Sequence, residues 1–311
     1  MLQIPVIVGN DTPYPLKGML TLPEGNGPFP AAVFVHGSGS SNMDEKVGKL
    51  TPFKDLAEGL AARGIASLRY DKRTFAHGAK LLRAYKNNLT VKEEVLEDAL
   101  LAADLLRQDN RIDPQKVFIV GHSMGAMLAP RIHAEGGNFK GLVLMAGTLR
   151  TLETVLLDQI GELLKTSRGL TKRILQKQLS TFEKRFANLY ALSDEEAKAE
   201  KYAGGVTLYY FKEMGLHPAE DYLKQLETPV LVLQGEKDSQ VKADTDFTAY
   251  RELLQNHPDA AFKLYDGLNH AFVPALYEGI ANARKEFAVE RHIASEVLDD
   301  LASWIHRVSS N

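Results

Sequence analysis

The chain has 311 residues, 44% of them hydrophobic, enough to bury a large core in one α/β domain and too apolar for a disordered chain. Its 37 basic and 40 acidic side chains leave a net charge of −3, and the absence of a basic stripe removes any electrostatic case for nucleic acid. The absence of cysteine excludes disulfides, a thiol nucleophile and thiolate metal sites.

No run approaches the ~20 apolar residues that span a bilayer. Met1-Leu2-Gln3-Ile4-Pro5 lacks the basic region and apolar stretch of a secretory leader. The expectation is a soluble, cytoplasmic protein with neither a membrane nor a nucleic-acid partner, and a homodimer is left open.

In chain order, residues 2 to 8 and 15 to 22 read as strands around Gly9-Asn10-Asp11 and Pro13, an antiparallel start at a sheet edge. Ala31-Ala32-Val33-Phe34-Val35 is apolar throughout, as in a strand covered on both faces, and runs into His36-Gly37-Ser38-Gly39-Ser40-Ser41. Phe53, Leu56, Ala57, Leu60 and Ala61 fall at helical spacing up to Gly64, and residues 65 to 70 read as the next strand. A polar loop is expected from Asp71 through Asn88. An amphipathic helix follows, with Val95, Leu96, Ala99, Leu100, Ala103 and Leu106 on one face, and Thr90 with Glu93 as its capping box. Lys116 to Val120 predicts a strand, Gly121 to Gly125 a tight turn, residues 126 to 135 a helix and residues 140 to 145 a strand. This alternation favours a mostly parallel, doubly wound sheet with helices on both faces.

The rhythm stops from Thr148 to Leu226, where two helical patterns and no strand are visible. Residues 148–226 are expected to form a helical cap inserted in a core of 1–147 and 227–311; a helical flank or oligomer surface is the alternative. Tyr202, Tyr209, Tyr210 and Phe211 in this segment could line an acyl pocket or simply pack. Pro229 to Leu233 resumes the strands, residues 247 to 254 read as a helix, Ala261 to Tyr265 as the last strand, and residues 290 to 308 as a closing helix carrying Trp304.

Three strand ends carry chemistry. Gly121-His122-Ser123-Met124-Gly125 is a GxSxG turn between strand and helix, where Ser123 would be exposed at a helix N-terminus that favours negative charge. A serine hydroxyl needs a base to take its proton and an acid to orient that base. Asp238, after the strand ending at Leu233, and His270, after the strand ending at Tyr265, would lie on the sheet's carboxyl edge; Glu236 and Asp266 compete for the role of acid. The order Ser, Asp, His is that of an α/β-hydrolase. Oxyanion donors are expected from Met124 N–H and from the loop after Val35, where Gly37 and Gly39 permit close approach and Ser38 N–H is the candidate. No HxxxH or carboxylate cluster suggests a metal, so a mechanism without metal or cofactor is expected.

His36-Gly37-Ser38-Gly39, Asp44-Glu45, Phe53 to Ala57, Arg69-Tyr70-Asp71-Lys72-Arg73, the Gly121 to Gly125 turn, Gly235-Glu236-Lys237-Asp238 and Leu268 to Phe272 together resemble bacterial serine carboxylesterases. The similarity is to α/β-hydrolases with an HGSGP loop and a YDKR motif, related to dienelactone hydrolases and acyl peptidases, and it covers nearly the whole chain except the cap. It implies Ser123 as nucleophile, Asp238 as acid, His270 as base and Ser38 with Met124 as oxyanion donors, acting on small to medium acyl esters. Acyl or amino peptide or thioester hydrolysis on the same residues is the alternative, and a non-catalytic binding protein a more distant one. The chain departs from the group with Ser40 where proline is usual and Met43 where arginine is common. A dienelactone hydrolase would need the cysteine this chain lacks.

Overall fold

Alternation of apolar side chains along each central strand gives the sheet two buried faces, and both are filled. The computed structural model describes residues 1–202 and 205–310. The strands are β1 (Leu2–Val8), β2 (Leu16–Leu22), β3 (Phe29–Val35), β4 (Ala66–Tyr70), β5 (Ile112–His122), β6 (Leu142–Met145), β7 (Val230–Gly235) and β8 (Ala260–Tyr265). They form one sheet in the order β1-β2-β4-β3-β5-β6-β7-β8. β1 and β2 are antiparallel at one edge, β2 pairs antiparallel with β4, and every remaining pair is parallel.

Helix α1 (Pro52–Ala61) follows β3, α2 (Arg73–Tyr85) and α3 (Glu97–Gln108) follow β4, and α4 (Met124–Ile132) follows β5. Between β6 and β7 lie α5 (Leu152–Thr166), α6 (Gly169–Phe186), α7 (Asp194–Ala199), α8 (Leu208–Gly215) and α9 (Ala219–Leu223), with no strand among the described residues there. α10 (Thr248–Leu253), α11 (Ala283–Glu286) and α12 (Ser295–Ser309) complete the chain. Val33, Val35, Ile119, Leu142 and Leu144 face α3, α4 and residues of α8. Ala32, Phe34, Phe118, Val120, Val143 and Met145 face α1 and α12, where Trp304 meets the Phe118 ring edge-on at 5.9 Å.

Two expectations are corrected. The segment expected to be a polar loop from Asp71 to Asn88 contains α2, a helix with a non-helical residue at His77. Leu81, Leu82 and Tyr85 do fall on one side of it, but the stretch is polar on average and buries only Arg73 and Leu81, so it reads as a loop. The closing helix begins at Ser295; residues 290 to 294 precede it, and there Ile293 N–H donates to Asp55 of α1 at 3.1 Å. Half of the expected Thr90–Glu93 capping box is formed: Glu93 Oε2 accepts the Thr90 N–H at 2.9 Å, while Thr90 Oγ1 accepts from Lys92 N–H at 3.2 Å rather than from Glu93 N–H.

The parallel register aligns the strand ends. Val35 pairs with Gly121, His122 with Met145, Met145 with Leu233 and Gly235 with Tyr265. The loops leaving β3, β5, β7 and β8 therefore emerge together at one carboxyl edge.

Candidate active site

Ser123 has φ 55° and ψ −119°, a left-handed strain for a residue with a side chain, which costs ~1–3 kcal/mol and persists only where the surroundings enforce it. Here the Ser123 N–H donates to the Met145 carbonyl at 2.8 Å and its carbonyl accepts from Ala126 N–H at 2.9 Å. The glycines on either side are needed for space. A Cβ on Gly121 would lie 2.2 Å from the Gly125 carbonyl, and one on Gly125 would lie 2.1 Å from the Val35 carbonyl. The turn thus holds Ser123 at the N-terminus of α4, with Met124 as its first helical residue.

Ser123 and His270 line one cleft of about 220 Å³, together with Gly37, Ser38, His122 and Gln240. His270 Nδ1–H donates to Asp238 Oδ2 at 2.6 Å, which leaves Nε2 as the free nitrogen. Asp238 is buried, and Oδ1 accepts the N–H groups of Gln240 and Val241 at 2.8 and 3.0 Å while Oδ2 also accepts from Gln234 Nε2 at 3.1 Å. Of the three candidate acids, Asp238 is the one bonded to His270. Glu236 and Asp266 are exposed, and Glu236 accepts instead from Gly267 N–H at 3.3 Å.

The loop after β3 stands against the nucleophile, with a Cβ built on Gly37 falling 3.1 Å from Ser123 Cβ. Gly39 has φ 84°. Ser38 N–H has no protein acceptor among the described residues. His36 turns away from the cleft, and its Nε2–H donates to the Asn42 carbonyl at 3.0 Å. On the far side of the loop lies a second cavity of about 440 Å³, lined by Met124, Leu152, Leu156, Val206, Tyr210 and Phe211 among others; Ser38 and Ser40 border both spaces. Tyr202 also lines it, whereas Tyr209 sits under the Lys198 ammonium at 4.8 Å and does not.

Charged residues with no assigned part in the sequence reading complete the surroundings. Glu45 is buried with φ 49°; its Oε1 accepts Gly37 N–H at 2.7 Å, and Oε2 stands 2.9 Å from His122 Nδ1. The latter contact is an ion pair outside hydrogen-bond geometry. Burial opposes charge on His122, but the Glu45 carboxylate outweighs it and raises the imidazole above its ordinary pKa. Burial likewise opposes the Glu45 charge, and His122 brings that carboxyl below its usual range. His122 Nε2–H donates to the His270 carbonyl at 2.9 Å, so this pair braces the backbone that carries His270.

The end of β4 braces the loop in turn. Arg69 bonds Asp44 at 2.9 Å, Asp71 accepts Met43 N–H at 2.8 Å, and Lys72 donates to the Gly37 carbonyl at 3.0 Å. All three are buried. The signal for these residues was their place in the Asp44-Glu45 and Arg69 to Arg73 strings, which say nothing of contact. Among the described residues no cluster of three or more His, Cys, Asp or Glu side chains could hold a metal ion, and no helix is long and apolar enough to cross a membrane.

Residues 31–274 match the family described as "Serine aminopeptidase, S33". The chain belongs to this family. Its fold is the α/β-hydrolase fold, shared with Est1E from Butyrivibrio proteoclasticus in complex with ferulic acid: TM-score 0.61, 16% identity, 98% of this chain and 100% of that one. The Pyrobaculum calidifontis esterase superposes with TM-score 0.57 at 16% identity, covering 99% of this chain and 86% of that one. In sequence, the chain is 36% identical over 290 residues to Esterase EstD of Thermotoga maritima, which covers 93% of this chain. The chain spans 65% of the length of that relative.

Proposed function

We propose that this chain is a serine carboxylesterase that hydrolyses small to medium acyl esters through an acyl-enzyme on Ser123. The observation that carries the reading is the His270–Asp238 bond of 2.6 Å in the cleft that strained Ser123 enters. Ser123 Oγ attacks the ester carbonyl carbon and passes its proton to His270 Nε2, while Asp238 holds the imidazolium. The tetrahedral oxyanion accepts from Ser38 and Met124 N–H groups. Collapse breaks the bond to the alcohol oxygen, which takes the proton from His270, and water then repeats the sequence on the acyl-serine to release the acid.

Residues 148–226 act as the cap, and the 440 Å³ cavity beneath them takes the acyl chain. Its walls are mostly aliphatic and aromatic. The acid that lines it, Glu94, is already paired with Lys72 at 3.0 Å, leaving no free carboxylate for the ammonium group of an aminoacyl substrate. That pairing favours an ester with an uncharged acyl group over an aminopeptidase substrate, despite the family's description. The similarity to Esterase EstD supports the same choice.

The test is turnover of p-nitrophenyl esters of graded length beside aminoacyl p-nitroanilides, with Ser123→Ala and Asp238→Asn compared in parallel. Ester turnover should dominate and vanish in Ser123→Ala, and Asp238→Asn should lose ~10⁴-fold in kcat. Undiminished hydrolysis by Ser123→Ala would end the assignment.

A further inference from the structure

Lys72 follows β4 with its side chain only 2% exposed. Its Nζ donates to the Gly37 carbonyl at 3.0 Å and stands 3.0 Å from Glu94 Oε1. Glu94 is fixed by the Tyr210 hydroxyl of α8, which donates to Oε2 at 2.6 Å, and by Thr74 Oγ1 at 3.3 Å. Taking an ammonium out of water is costly, and a counter-ion alone would offset it; the contact to a loop carbonyl is additional.

That carbonyl belongs to the same peptide unit as the Ser38 N–H. The Gly37–Ser38 bond is trans, so its C=O and N–H point in opposite directions, and holding one aims the other. Gly37 would otherwise allow this unit to rotate freely. The preceding peptide, His36–Gly37, is held by Glu45, which accepts the Gly37 N–H at 2.7 Å. A cation on the carbonyl oxygen also draws electron density from the amide, which makes the N–H a stronger donor. Ser38 lines the Ser123 cleft and its N–H has no protein acceptor among the described residues.

We propose that Lys72 is a positioning residue of the oxyanion site: it fixes and polarises the Gly37–Ser38 peptide so that Ser38 N–H meets the tetrahedral intermediate. The assignment rests on Ser123 as nucleophile and Ser38 as donor. Lys72 touches no reacting atom; it acts through the peptide it holds.

Removing Lys72 alone would leave Glu94 buried without its cation, which can unfold a protein for reasons unrelated to catalysis. The decisive variant is therefore Lys72→Met with Glu94→Gln, which removes both charges and keeps an acceptor for Tyr210, alongside Lys72→Arg, which keeps the cation. With p-nitrophenyl butyrate the double variant should lose roughly 10²-fold in kcat, the cost of an oxyanion donor, with KM changed by less than about threefold. Its affinity for butylboronic acid, which forms a tetrahedral adduct on serine, should fall in parallel, while inhibition by butyrate stays put. Lys72→Arg should recover part of the loss. A double variant with wild-type kcat and boronate affinity would overturn the proposal, since a purely structural lysine predicts that result. Fluorophosphonate labelling separates the two assignments: failure to label Ser123 in the wild type overturns both, whereas labelling in every variant with unchanged kcat overturns only the role of Lys72.

Discussion

His36 and His122 sit one strand apart at the same sheet edge, and their surroundings drive them in opposite directions. Burial lowers the His36 pKa to about 4, against the pull of Glu45, whereas Glu45 raises His122. An unfolded His36 binds its proton near 6.5 and the folded one only near 4, so between these values the unfolded chain holds more protons. Stability should therefore fall as pH drops through that window, by on the order of 3 kcal/mol from His36. His122 contributes with the other sign: its stabilisation is full below the unfolded value and is lost as pH rises through the folded one. Urea midpoints measured from pH 7 to 4.5 should decline less steeply in His36→Gln than in the wild type. Equal slopes would mean that His36 does not carry the effect. Residues of this kind were not legible beforehand. Ser123, Asp238 and His270 announce themselves because each follows an apolar strand in a loop of distinctive composition. Glu45 and Lys72 stand in the strings that carry the family resemblance and Glu94 in none, but no string says what its residues touch, and only folding brings Lys72 onto a carbonyl 35 positions away.

At the scale of elements, the strands and the turn at Ser123 were legible for a physical reason: a strand buried on both faces must be apolar throughout, and that leaves a continuous mark. α2 leaves none. It buries Leu81, carries Gly78 and is broken at His77, yet it closes over Tyr14, with the Arg73 guanidinium 5.0 Å from that ring's centre. Leu82 of the same helix reaches the 440 Å³ cavity. The segment between β6 and β7 supplies the opposite wall through Leu156 of α5, Tyr210 and Phe211 of α8, and Val206 just before α8. Filling this space should shorten the preferred acyl chain. Leu156→Trp is expected to raise KM for p-nitrophenyl octanoate by about tenfold or more, since each methylene in an apolar pocket contributes about 1–3 kcal/mol, while turnover of the acetate stays within about threefold. Parallel losses on both esters would show that the acyl chain lies elsewhere.

At the scale of the molecule, the sheet separates packing from chemistry. One face is closed by α1 and α12, where Trp304, Ile305 and Leu301 pack on Phe118 and Val120, while α3 and α4 cover the other and α9 packs on α4 outside the sheet. Trp304→Ala should cost ~3–5 kcal/mol in chemical denaturation through loss of burial and the cavity left behind. At a temperature where the variant remains folded, kcat per folded molecule should match the wild type, because the change lies in the layer away from the acyl cavity. A proportionate fall in kcat would show that the two faces are coupled through the sheet.

The loop at Ser38 and Ser40 borders both the 220 Å³ cleft and the 440 Å³ cavity. On the proposed reading it is a partition, and an ester is cut where it crosses the wall. The two fragments then have separate exits. The alcohol departs past Gln240 and Ala271 while the acyl half stays behind, and the vacated chamber is where the next acceptor arrives. On that same reading, the choice between water and a second alcohol as acceptor belongs to the cleft side of the wall, apart from the residues that choose the acid.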